Sequence, residues 1–287
     1  MIEYSQYKHI PDEYIIAKLS EFWNEDIPKG DLATECTVSK NKHLKAEIQA
    51  LQELVFVGKE IIPHCFGKDC QVAINQEDGN LLSSGDVLGI VSGSARDILS
   101  FERVMLNLIQ RLCGIATLSR KYAQIAKPFN VKILDTRKTT PGLRLFEKCA
   151  VAIGGSYNHR LNLSEGILIK DNHIIAAGSI MGAIESTQKS SINLPLELEV
   201  DNIDQIKEAL KIGVDGFLLD NMNADTVRLA VSTIRKTKNG DDIFIEASGG
   251  INLKNIQPYL DTGINAISIG ALTHRAVSKD IRLEFIL

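Results

Sequence analysis

The chain has 287 residues and a formal net charge of −4, with 44% hydrophobic and 24% charged residues. That length and apolar content suit one large or two medium globular domains, each able to bury a core. The slightly acidic balance excludes a global basic field of the kind that draws nucleic acid or an anionic membrane, so any anion site has to be local.

The opening MIEYSQYKHIPDEY lacks the basic start, apolar core and small-residue cleavage site of a signal peptide, and no stretch approaches the roughly 18 apolar residues of a membrane span. A cytoplasmic chain that binds neither membrane nor nucleic acid is expected. DEYIIAKLSEFWNED (12–26) follows with helical spacing, placing Tyr14, Ile15, Leu19 and Phe22 on one face. Short alternating runs come next, LKAEIQALQELVFVG (44–58) and NLLSSGDVLGIVSG (80–93), broken by Gly, Asp, Asn and Ser as in a meander of strands. Between them HCFGKDC holds Cys65 and Cys70 at a spacing wrong for a zinc knuckle. With Cys36, Cys113 and Cys149 they make five scattered cysteines and no CxxC pair, the usage of free thiols in a reducing compartment. A long amphipathic stretch from near Ala95 joins this half to the next, and the pattern changes near residue 114.

From Val131 onward apolar strands alternate with amphipathic helices. The strands are read at 131–135, 166–171, 196–200, 216–221, 242–248 and 265–271, and the helices at 145–153, 180–188, 202–213, 223–237 and 252–263. Repeated strand, helix, strand order means parallel pairing with right-handed crossovers, hence a barrel or an open doubly wound sheet. Nearly every strand ends in something too polar for a core: Arg137 and Lys138, Lys170 and Asp171, Glu199, Asp220, Glu246 and Ser248, then Gly270. In a barrel these ends share one rim, where the active sites of such folds lie, and one rim is the economical reading.

The rim has three kinds of chemistry. Arg137, Lys138, His159, Arg160 and Lys170 would repel one another unless an anion sat between them, and arginine's planar fork suits carboxylate or phosphate. Glu199 and Asp220 occupy corresponding places on consecutive strands, where they either balance those cations or hold Mg²⁺ or sugar hydroxyls. ASGGI (247–251) and SIGAL (268–272) end late strands in small residues whose backbone N–H groups suit a phosphate at a following turn or helix start. Together they describe a barrel enzyme acting on a phosphorylated sugar and a second anion.

DTRKTTPGLR (135–144), NHRLNLSEGILIKDNHI (158–174), LELEV, GFLLDNM, IEASGGINLKNI and ISIGALTH, in this order, resemble the quinolinate phosphoribosyltransferase family. The likeness extends upstream through PKGDLATE, SSGDVLGIVSG and FERVMLNLIQRLCGIAT and downstream to KDIRLEF, covering nearly the whole chain. It implies an α/β fold with an N-terminal α/β sandwich domain over 1–113. An incomplete, about seven-stranded α/β barrel would follow over 114–274, with 275–287 returning to the first domain. It also implies transfer of phosphoribose from 5-phosphoribosyl 1-pyrophosphate to quinolinate with decarboxylation. The products would be nicotinate mononucleotide, pyrophosphate and CO₂, and Mg²⁺ would accompany the pyrophosphate.

By the same resemblance Arg137, His159, Arg160 and Lys170 bind quinolinate, with Thr136 beside them. Arg103 reaches the neighbouring subunit's pocket, which makes the active form a homodimer or larger. Lys138 serves the pyrophosphate and ribose, Glu199 and Asp220 hold ribose hydroxyls or the metal complex, and Ser248, Gly249, Gly250, Gly270 and Ala271 cradle the 5-phosphate. The chain departs from the family pattern at Ser156-Tyr157, at Asn162 and at Arg275. Three alternatives stand beside this reading: the sister phosphoribosyltransferase family associated with molybdenum transport, a Schiff-base aldolase using Lys170, and a catalytically silent barrel that only binds.

Overall fold

The computed structural model describes residues 2–286. In chain order the first half carries α1 (Asp12–Asp26), α2 (Leu32–Thr37), β1 (His43–Ala50), β2 (Leu54–Val55), β3 (Cys70–Ile74), β4 (Leu81–Leu82), β5 (Val87–Ser94) and α3 (Ala95–Ala126). The second half carries β6 (Lys132–Leu134), α4 (Arg144–Ile153), β7 (Ile167–Ile169), α5 (Asp171–Ala177), α6 (Ile180–Lys189), β8 (Leu196–Val200), α7 (Ile203–Ala209), β9 (Gly216–Asp220), α8 (Ala224–Arg235), β10 (Phe244–Ser248), β11 (Ala266–Ser268), α9 (Ala271–His274) and β12 (Ile281–Phe285). The fold is α/β in the arrangement expected, a small antiparallel sheet first and a parallel sheet with helices second.

The chain divides into two compact units. One holds Tyr7–Arg120, Thr140–Gly155 and the C-terminal residues from Arg275; the other holds the N-terminal residues to Gln6 with Lys121–Thr139 and Ser156–His274. In the first unit the sheet order is β12-β1-β5-β3, with β1 central and antiparallel to both neighbours. Gly89 and Gly93 lie where β5 runs against β3, and a β-carbon on Gly89 would meet the Ala73 carbonyl at 2.7 Å.

In the second unit six parallel strands run in the order β6-β11-β10-β9-β8-β7. The first strand therefore pairs with the last, while β6 and β7 do not pair with each other. That is a barrel left open at one seam, and it settles the choice against a doubly wound sheet, whose order would reverse at a switch point. Among the described residues six strands are formed where about seven were expected; at the open edge Tyr157 adds a parallel bridge to Leu134. Leu198, Phe217, Leu219, Ile245 and Ile267 are fully buried on one strand face, as are Val227, Ala230 and Ile234 of α8 at helical spacing. The starts of α6, α7 and α8 are capped by Ser179, Asn202 and Asn223, whose side-chain oxygens accept backbone N–H groups three residues on.

The helix read at 252–263 does not form. Only a short 3₁₀ turn, Gln257–Tyr259, stands there. Pro258 removes a backbone donor in mid-segment, and Asn252 and Asn255 turn their side chains onto nearby backbone, with both Nδ2 groups donating to the Gly250 carbonyl. Gly250 is consequently followed by a turn, not by an α-helix N-terminus.

Candidate active site

Along each strand the polar residues stand in two tiers, an end position and one two residues before it. Asp220 pairs with Ser248, and Glu199 stands one pairing step beyond Leu198, which pairs with Ile169 just before Lys170. These residues form the rim. Two residues earlier on the same face come Glu197 on β8 and Glu246 on β10, with Ser268 on β11. A strand alternates faces, so Glu197 and Glu199 share the barrel interior.

At the rim Lys170 Nζ donates to Glu199 Oε2 at 2.7 Å, the lysine side chain 43% and the glutamate 17% exposed. Asp220 Oδ2 accepts from Asn221 Nδ2 at 2.6 Å, and Asn221 takes a left-handed backbone. Gly249 and Gly250 both adopt positive φ, and a β-carbon on Gly249 would collide with the Asn221 side chain, so the loop after β10 requires glycine there. Gly270 precedes the four-residue α9, which begins at Ala271, and a β-carbon on Gly270 would press on Lys138 Cδ at 3.1 Å. The Lys138 carbonyl accepts from Thr273 Oγ1 at 2.7 Å and its N–H donates to Thr136 Oγ1 at 3.0 Å, fixing the backbone of a loop whose lysine side chain stays exposed.

Arg160 is buried and donates through Nη1 to the Gly166 carbonyl at 2.8 Å. Burial lowers its affinity for the proton, and the Arg137 guanidinium nearby lowers it further. Arg137 Nε is itself buried without a hydrogen-bond partner. Two arginines held close enough to oppose each other, one with a buried unsatisfied donor, are the geometry that an anion relieves.

His159 lies one layer deeper. Its Nδ1 accepts the Arg160 backbone N–H at 2.7 Å, which leaves the ring proton on Nε2, 3.7 Å from both Glu197 and Glu246. Burial pushes the Glu197 carboxyl up to about 7 and raises Glu246 well above the usual carboxylate range, the latter also because Glu197 faces it. Asp135, fully buried, anchors this segment by accepting from the His159 N–H at 2.8 Å and Asn158 Nδ2 at 2.7 Å. Among the described residues His159, Glu197 and Glu246 form a group whose ligand-type atoms lie within 4.8 Å of one another. Glu199 and Asp220, expected as metal ligands, are separate from it at the rim.

Thirteen of the fourteen site residues read from the sequence thus belong to the barrel unit; Arg103 stands exposed on α3 in the other. The residues at Ser156-Tyr157 and Asn162 are absorbed locally. Ser156 is buried, Tyr157 makes the bridge to β6, and Asn162 closes its turn by accepting from the Ser164 N–H and donating to Glu165. Glu197, Glu246, Asp135 and Tyr4 were not singled out as site residues. For Glu197 the signal was present, since LELEV places two glutamates two residues apart on one strand.

Comparison with known proteins shows what the chain is similar to. Residues 115–284 match the model of the quinolinate phosphoribosyl transferase C-terminal domain and residues 31–113 that of its N-terminal domain. A Bacillus subtilis protein named a probable nicotinate-nucleotide pyrophosphorylase (carboxylating) is 42% identical over 274 residues, spanning 94% of this chain and 92% of that protein. A Mycobacterium leprae protein named nicotinate-nucleotide pyrophosphorylase (carboxylating) is 36% identical, spanning 91% of this chain and 93% of the relative. The solved nicotinate-nucleotide pyrophosphorylase of Francisella tularensis superposes with a TM-score of 0.91 at 31% identity, covering 99% of this chain and all of that one.

Proposed function

The chain belongs to the quinolinate phosphoribosyltransferase family, and we propose from that membership that it joins quinolinate to 5-phosphoribosyl 1-pyrophosphate. The products are nicotinate mononucleotide, pyrophosphate and CO₂, a pentosyl transfer in de novo NAD biosynthesis. The observation that carries the reading onto these residues is the opposed pair Arg137 and Arg160, with its buried unsatisfied Nε, next to a rim of Lys170, Glu199 and Asp220.

In this reading Arg137, Arg160 and Lys170 engage the two carboxylates of quinolinate, with His159 behind them, and aim its ring nitrogen at C1 of the ribose. Holding both reactants in line supplies the proximity term. As the bond from C1 to the pyrophosphate oxygen breaks, the sugar acquires oxocarbenium character, which Glu199 and Asp220 stabilise more than they stabilise the neutral ground state. Lys138 faces the departing anion, and Ser248, Gly249, Gly250, Gly270 and Ala271 hold the 5-phosphate. The nitrogen that formed the new bond is now positive; it draws the electron pair released when CO₂ leaves the adjacent carbon, and that carbon takes a proton.

Glu199 and Asp220 are hard oxygen donors, each with one oxygen held by a neighbouring side chain, and they fit Mg²⁺ carried with the pyrophosphate. When bound, the ion would supply charge neutralisation to the leaving group. Family membership also supports reading Arg103 as a residue lent to the neighbouring subunit, hence a homodimer or larger assembly. A cytoplasmic setting accords with five free cysteines; among the described residues no helix is long and apolar enough to cross a membrane.

The test is turnover by the purified chain with quinolinate, phosphoribosyl pyrophosphate and Mg²⁺, following nicotinate mononucleotide by mass. Product is expected from the native chain, with Lys170→Ala reduced at least 100-fold, a loss on the order of 3 kcal/mol. Quinolinate binding without turnover would support a silent binder instead.

A further inference from the structure

The segment Ile2–Gln6 lies before the residues that match the family models, yet it is built into the barrel unit. Ile2 is buried in a cluster with Leu134, Phe244 and Ala266, residues of the strands' inner face. Gly216 makes room for it, since a β-carbon there would sit 2.6 Å from Ile2 Cδ1. Two residues on, the Tyr4 ring stacks on the His159 imidazole with centroids 4.3 Å apart and planes 21° apart. The Tyr4 hydroxyl donates to Glu197 Oε2 at 2.8 Å. Gln6 clasps the peptide next door: its Nε2 donates to the Asn158 carbonyl at 3.1 Å and its Oε1 accepts the Asn158 N–H at 2.9 Å.

These contacts converge on residues 158–160. Asp135 grips the segment through the His159 N–H and Asn158 Nδ2. Tyr4 and Gln6 add a second set of holds, from residues that are remote in sequence. The stack fixes the plane of the His159 ring, while the Asn158 clasp fixes the backbone from which His159 and Arg160 depart. A phenol that donates to Glu197 also leaves that carboxylate one oxygen fewer to pull on His159 Nε2.

We propose that Ile2–Gln6 is a positioning segment for the acceptor site: Tyr4, by stacking on His159 and bonding Glu197, and Gln6, by clasping Asn158, hold His159 and Arg160 where the carboxylates of the pyridine acceptor bind. The proposal rests on the function proposed above. It predicts that loss of these holds weakens the acceptor and spares the phosphoribosyl donor, whose proposed contacts lie outside residues 158–160. General barrel damage would affect both.

The experiment compares native chain, Tyr4→Leu, Tyr4→Phe and Gln6→Ala, reading kcat, KM for each substrate, thermal midpoint and calorimetric binding of quinolinate alone. Tyr4→Leu is expected to raise KM and Kd for quinolinate about tenfold, with KM for phosphoribosyl pyrophosphate and kcat within twofold of native. Tyr4→Phe keeps the stack and loses only the bond to Glu197, so it falls between. Unchanged quinolinate constants in Tyr4→Leu, or equal rises in both KM values, overturn the proposal. Should Tyr4→Leu fail to fold, native quinolinate constants in both Tyr4→Phe and Gln6→Ala overturn it. A native chain that neither binds nor turns over quinolinate removes the function reading itself, a result distinct from all of these.

Discussion

Glu246 has a fully buried carboxyl group in a barrel interior that also holds Glu197. Around this pair stand His159, Tyr4, Arg160, Lys170, Glu199 and the Ser268 hydroxyl. Burial raises both carboxyls above the usual value of 4.5, Glu197 to about 7. In the folded chain they therefore keep protons that the unfolded chain has released. The folded state binds more protons than the unfolded one over this window, so stability falls as pH rises from about 4.5 through about 7. Glu246→Gln removes one of these acids while keeping its shape. Thermal melts should place the variant above native at pH 8, by about 3 °C for each kcal/mol relieved, with the gap closing towards pH 4.5. A gap that widens as the pH falls would contradict the assignment. Arg137 and Arg160 show the opposite arrangement, cations whose mutual repulsion is the cost of an anion site. Arg137 and Arg160 were legible in DTRK and NHR as charge; that burial leaves the Arg137 Nε unsatisfied was not, because burial depends on which strands become neighbours.

At the scale of elements, the strand and helix alternation was readable because each barrel strand is a short apolar run and each helix has an apolar stripe. The cap residues were readable for the same local reason. Asn223 Oδ1 accepts the Thr226 N–H at 2.9 Å and opens α8. Asn223→Ala should cost about 1 kcal/mol, read as a lower urea midpoint with an unchanged slope; a shift within error would mean that packing of Val227, Ala230 and Ile234 alone sets the helix. Residues 252–263 show where local reading failed. Their apolar spacing resembles a helix, but Pro258 and the asparagine side chains offer the backbone other partners, and the turn that results ends the loop of Gly249 and Gly250. Tyr4 failed for another reason. Nothing local distinguishes it from any tyrosine near a chain terminus, and its contact with Glu197 spans 193 residues of sequence.

At the scale of the whole molecule, the barrel brings the ends of six strands together, and motifs spread over nearly half the sequence meet in the candidate site. One residue proposed for that site, Arg103, belongs to the compact unit outside the barrel, and the proposal that it serves a neighbouring subunit has a direct consequence. Inactive Arg103→Ala and Lys170→Ala chains, unfolded together and refolded as a mixture, should regain up to about a quarter of native activity, because half of the mixed dimers' sites carry neither change. No recovery in mixed dimers would place Arg103 in its own chain's site or outside the chemistry.

The most direct test of the central claim uses quinolinate labelled with ¹³C in the carboxyl group adjacent to the ring nitrogen, incubated with phosphoribosyl pyrophosphate, Mg²⁺ and the native chain. The account predicts labelled CO₂, pyrophosphate and unlabelled nicotinate mononucleotide in equal amounts. Label retained in a phosphoribosylated product, or label lost without pyrophosphate release, would contradict it.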